Sequence, residues 1–142
     1  MRAKALAAGS LVLALVAVAC GGSGDGSPST PPSATTVPEV RAFLSLCSMR
    51  ADVAGEDVTS AAATFQDDVH DALHELAARV EPTDRASAAA VLEATSKVEA
   101  DLREASPDLA RLGTDVDGLL ETMRDALAVA AIPAPSCPEP SP

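Results

Sequence analysis

Flat rings are almost missing from this chain. Phe43 and Phe65 are the only aromatic residues among 142, and there is no tryptophan or tyrosine. A sugar-binding platform or an aromatic-lined cofactor pocket needs such rings, so both classes of site are disfavoured. Asparagine is absent and lysine stands only at Lys4 and Lys97, a usage that GC-rich codons would give. Positive charge is scarce as well: ten Lys and Arg face 21 Asp and Glu, for a net charge of −11. Such a surface is a poor partner for nucleic acid, whose binding depends on cations that neutralise phosphates. Anionic lipid headgroups are repelled for the same reason. Catalytic templates are missing too. There is no G-x-S-x-G, and no histidine lies near Cys47 or Cys137 in sequence. The glycines of GGSGDG, residues 21–26, do not sit between a strand and a helix as a phosphate loop must. The expectation is a non-enzymatic protein without a cofactor.

What the chain does have begins at its first residue. Met1-Arg2-Ala3-Lys4 gives a basic start, and ALAAGSLVLALVAVAC, residues 5–20, follows as an apolar run ending in small residues. This is the grammar of an export signal, and the run is shorter than the about 20 residues that span a bilayer core. Ala17-Val18-Ala19-Cys20-Gly21 resembles the lipobox of bacterial lipoproteins. That resemblance implies a diacylglycerol on the Cys20 thiol and cleavage just before it. Residues 1–19 would then be a signal peptide, and the mature chain would sit on the extracytoplasmic face of the cell membrane. Loss of Arg2 and Lys4 would leave 8 basic residues against 21 acidic ones, a net charge of −13. Attachment would therefore come from the acyl chains, at about 0.8 kcal/mol per buried CH₂.

Residues 20–38 carry the cysteine and a Gly/Ser- then Pro/Thr-rich stretch with no apolar face, read as a flexible tether. From Pro38 the apolar residues fall at helical spacing. The first stripe is Val40, Phe43, Leu44, Cys47, Ala51 and Ala54, with Gly55 as a natural stop. The second, from about Glu56 to Val80, is Ala62, Phe65, Val69, Leu73, Leu76 and Val80. Thr83 or Asp84 can cap a third segment through Ala88, Val91, Thr95, Val98, Leu102 and Ala105. Ser106-Pro107-Asp108 reads as a cap, a first-turn proline and an early acid, ahead of a fourth seam, Leu109, Leu112, Val116, Leu120, Met123, Leu127 and Ala130. Residues 39–132 thus predict an all-α fold, an up-and-down bundle of about four helices. Residues 133–142 form an irregular tail.

With Cys20 assigned to lipid by the resemblance, Cys47 and Cys137 remain as one pair in an oxidising compartment, and a disulfide is expected. A slim, alanine-rich core of this size benefits from such a staple.

One cluster invites chemistry. His70 and His74 lie one helical turn apart, with Asp67 one turn earlier, so two imidazoles and a carboxylate could chelate a metal. His70-Asp71-Ala72-Leu73-His74 resembles the zinc-protease motif H-E-x-x-H with Asp71 in place of glutamate, which leaves the general base one methylene short. Downstream, Glu93 or Glu99 would approach only by chance. The competing reading, two surface histidines beside the apolar stripe of an acidic helix, is the simpler one. The expected function is a lipid-anchored helical module that contacts an envelope or secreted protein. The alternative is a small-ligand or metal carrier using an inter-helix cavity or His70 and His74.

Overall fold

The structure is a computed structural model that describes residues 37–139. The expected signal peptide, Cys20 and nearly all of the expected tether lie outside the described residues. Those described are all-helical, with no strand among them. Four helical rods follow one another. The first is α1, Pro38–Ala54; the second runs through α2, Val58–Thr64, a π-helical stretch, Phe65–Val69, and α3, His70–Val80. The third is α4, Arg85–Leu102, and the fourth is α5, Leu109–Val129. Each rod packs on the next and the fourth returns to the first, as an up-and-down bundle requires.

Caps and turns set the rod boundaries. Pro38 opens α1, where its missing N–H costs nothing. Asp57, Asp84 and Asp108 cap α2, α4 and α5, each accepting a backbone N–H with its side chain. The expectation for the last cap was two residues early: Asp108 takes the role assigned to Ser106, so Pro107 stands before the helix. The ends of α1 and α5 share one closing turn. In each, the N–H two residues past the cap reaches back five residues, Asp57 to Asp52 O and Ile132 to Leu127 O. That turn puts the residue after the cap in the left-handed region, where Glu56 has φ 62° and Ala131 φ 57°. Glycine would suit both positions. Gly55 does stop α1, but one residue short of the left-handed position, at φ −84°.

The core runs the length of the bundle and includes both phenylalanines. The face of α1 differs from the expected stripe: Ala42, Phe43, Leu46, Cys47, Met49 and Val53 are buried, whereas Ala51 and Ala54 are exposed. Phe43 and Cys47 were correctly placed, but the face is rotated towards Leu46 and Met49. In the second rod Ala61 is buried instead of Ala62, and Ala61, Phe65, Val69, Leu73 and Ala77 recur every four residues. Each four-residue step overshoots an α-helical turn by about 40°. A regular helix would carry Ala61 and Ala77 to nearly opposite faces. The wider π turn takes up the drift and keeps all five on the core.

Beyond α5 the chain has no regular structure, but Ile132, Ala134 and Cys137 pack against the core. Cys137 is joined to Cys47 by the expected disulfide, with Cα atoms 5.4 Å apart. The tail is thereby a strap fixed to the middle of α1.

Candidate functional site

The π turn ends where the histidines begin. His70 is the first residue of α3, and its N–H bonds back to Phe65 O across the widened turn. The Phe65 and His70 rings meet in a T-shaped arrangement, centroids 6.0 Å apart. His74 follows one α-turn later, its ring centroid 4.7 Å from that of His70. His70 is half-buried and His74 exposed. Both flank the Val69–Leu73–Leu76 stripe rather than interrupting it.

The third member comes from α4. Glu99, half-buried beside Val98, places Oε1 2.8 Å from His70 Nε2. Its other oxygen, Oε2, is held by Arg103 Nη2 at 2.5 Å. At the far side of the His70 ring, Nδ1 stands 3.1 Å from Asp71 Oδ1. His70, His74 and Glu99 each offer a donor atom, and the three atoms lie within 4.8 Å of one another.

Asp67 is not in this group. It is exposed and lines a separate acidic recess with Asp68, Asp71 and Glu75. The reason is local: between Asp67 and His70 the chain is π-helical, so three residues fall well short of the full turn that an α-helix nearly completes. Glu93, the other downstream acid weighed from the sequence, pairs with Lys97 one turn along α4 at 2.9 Å. Glu99 was legible only as one of two downstream acids that could approach by chance. Nothing in the order of residues marks it as His70's neighbour.

His74 also lines a shallow groove between α3 and α4 of about 260 Å³. Ala77, Ala78, Ala88 and Ala89 form its floor, Leu92 stands exposed on its rim, and Glu81 and Arg85 flank one end.

Two other polar clusters are built into the bundle. At the start of α1 the fully buried Glu39 has Arg79 Nη2 2.6 Å from Oε1. That contact lies off the hydrogen-bonding direction, and Oε2 has no partner either among the described residues. Between α4 and α5, Asp101 accepts from Arg111 Nε at 2.6 Å, and Glu104 takes Nη2 of the same guanidinium. These two carboxylates push the Arg111 pKa up. Neither cluster lines the groove beside His74 or the recess beside Asp67. No protein-family model, curated protein or solved structure matches the chain, so its site is read from its own residues.

Proposed function

We propose that this is a lipid-anchored, extracytoplasmic binding module, a non-enzymatic helical bundle displayed outside the bacterial cell membrane to engage an envelope or secreted protein. The observation that carries the proposal is the opening of the chain, in which a basic start and an apolar run lead to Ala-Val-Ala-Cys20-Gly. The Cys47–Cys137 disulfide supports it, because such bonds persist in oxidising compartments outside the cytoplasm. That bond also uses two of the three cysteines and leaves Cys20 as the one outside the pair. No helix among the described residues is long and apolar enough to cross a membrane, so attachment in this reading falls to the acyl chains of Cys20. The tether of residues 20–38, with a root-mean-square span of roughly 20–25 Å, would hold the bundle clear of the headgroups.

The test is the chemistry of Cys20. Mass spectrometry of the protein from native membranes should find a chain beginning at a diacylglycerol-modified Cys20, and Cys20→Ala should leave it uncleaved or soluble. An unmodified Cys20 in the membrane fraction sinks the reading. For the binding role, a photo-crosslinking residue replacing Leu92, on the rim of the α3–α4 groove, should trap an envelope or secreted protein. The same probe replacing the exposed Asp125 on α5 should not.

A further inference from the structure

We propose that His70, His74 and Glu99 form a binding site for a divalent transition metal of borderline softness, zinc or copper(II), bridging α3 and α4. The inference is independent of the lipid anchor.

The donor set comes first. Two neutral imidazoles and one carboxylate suit zinc, copper or nickel, whereas calcium and magnesium prefer oxygen alone. The two imidazoles stand four residues apart on one face of one helix, a spacing that lets both reach a single ion. The third donor comes from a different rod, 25 residues further on in the sequence from His74, and only the fold brings it near. This separates the site from a pair of histidines on an open helix.

Distances come next. Donor atoms on a tetrahedral zinc, at about 2.0–2.1 Å from the metal, stand about 3.3–3.4 Å from one another. Here His70 Nε2 and Glu99 Oε1 are closer than that, at 2.8 Å, and all three donors fall within 4.8 Å. The first pair must open by about half an ångström and the third donor must close in. His74 can supply the movement, because its side chain is exposed and no hydrogen bond holds it among the described residues. Glu99, at 18% exposure, is firmly placed, and Arg103 holds its outer oxygen so that the inner one faces His70.

The second shell points the same way. Asp71 Oδ1 lies 3.1 Å from Nδ1 of His70, where in a metal complex it would accept that N–H and leave Nε2 as the lone-pair donor to the ion. Metal-bound histidines are oriented in this manner, with a carboxylate on the nitrogen that does not bind. A metal ion seated between His70 Nε2 and Glu99 Oε1 would engage both atoms. The π turn directly before His70 sets the ring against Phe65 and α4, and such turns recur at functional sites. Three protein donors leave a fourth tetrahedral position for water or a partner's ligand.

The test is calorimetry of the full-length protein, purified without a polyhistidine tag, titrated with zinc chloride and then with copper(II) chloride. Saturable one-to-one uptake is expected, with magnesium and calcium giving none. His70→Ala and Glu99→Gln should each weaken uptake about tenfold or more. Glu93→Gln, on the same helix but paired with Lys97, should leave it unchanged. Bound zinc should also raise the melting temperature, because it ties two rods of the folded state together, and Glu99→Gln should abolish most of that rise. Glu99→Gln changes no side-chain volume, so failure to fold will not obscure the result. Uptake that ignores Glu99→Gln would reduce the site to an adventitious histidine pair and overturn the proposal, as would no saturable uptake at all.

Discussion

The two ends of the bundle are closed by different chemistry. At the end where α1 begins and α3 and α5 finish, the tail folds back and a disulfide fixes Cys137 to Cys47. The buried Glu39 and its Arg79 partner sit at the same end. At the opposite end, where α4 hands over to α5, there is no covalent tie among the described residues. A knot of charge takes its place: Asp101 and Glu104 on Arg111, with Asp115 against Asp101. The difference follows from the sequence available at each end. The last fully buried apolar residue of α4 is Val98, the next inward position is Asp101, and Leu102 is only half-buried. A covalent tie acts mainly by restricting the unfolded chain and is indifferent to salt, whereas a half-exposed charge cluster is screened and depends on protonation. One end is therefore predicted to be robust to ionic conditions and the other to be tunable by them.

The sharpest way to break this contrast is to cut the staple. The disulfide closes a loop between residues 90 apart, and its loss should cost about 4–5 kcal/mol in the chain-entropy account. Cys47→Ser and Cys137→Ser should destabilise the bundle alike, since each removes the same bond. Dithiothreitol should lower the melting temperature of the wild type and leave both variants where they are. Titration of two free thiols in the oxidised, folded protein would contradict this.

A smaller effect is expected from Arg79. Glu39 is fully buried at the first turn of α1, where the helix dipole favours a negative charge, and Arg79 is its cationic neighbour. Removing one partner of a fully buried pair costs about 3–5 kcal/mol, mostly from the charge left behind. Arg79 is half exposed, so water tempers that figure, and Arg79→Ala should cost about 2–3 kcal/mol in urea unfolding. Adding Glu39→Gln should recover part of the loss. A double variant no better than Arg79→Ala would show that the stranded charge is not the cause.

The architecture was largely legible in the sequence because helical period, prolines and acidic caps agree with one another along the chain. Leu112, Val116, Leu120, Met123 and Leu127 were read straight onto the core side of α5. The face of α1 was misjudged in part because Leu44 and Leu46 both look eligible; packing chose Leu46 and left Leu44 half-buried. The π turn was written in the four-residue recurrence of Ala61, Phe65, Val69 and Leu73, a period too long for an α-helix. It went unread because Ala62 fits a regular stripe equally well. Two of the three members of the candidate site were visible as His70 and His74, local neighbours whose spacing alone brings them together. Glu99 was named only as one of two acids that could approach by chance, since its approach depends on how α3 and α4 are staggered, and side-chain identity along one chain does not encode that directly.

The finest distinction between the two ends lies in a single proton at the charged one. Asp101 accepts from Arg111 through Oδ1, while its buried Oδ2 has no other hydrogen-bond partner among the described residues. A protonated Asp115 can donate to Asp101. Burial, that hydrogen bond and the negative charge of Asp101 together push the Asp115 carboxyl above its ordinary 3.8, against the pull of Lys97 and Arg111. The folded protein thus holds this proton more tightly than the unfolded chain does. The contribution of Asp115 to stability is most favourable below 3.8 and declines as pH rises through the elevated value. At neutral pH the ionised side chain faces Asp101 with like charge and no proton to share. Asp115→Asn keeps an N–H donor for Asp101 and removes the charge, so the variant should be slightly more stable than wild type at pH 7. Because Asp115 is only half-buried, the gain should be the smallest of these effects, and it should shrink as the pH is lowered towards 3.8. Urea unfolding of both proteins across that range measures the difference directly, with all other carboxylates common to the pair. A stability difference independent of pH, or a variant weaker than wild type at pH 7, would mean that the proton between Asp101 and Asp115 has no part in closing this end of the bundle.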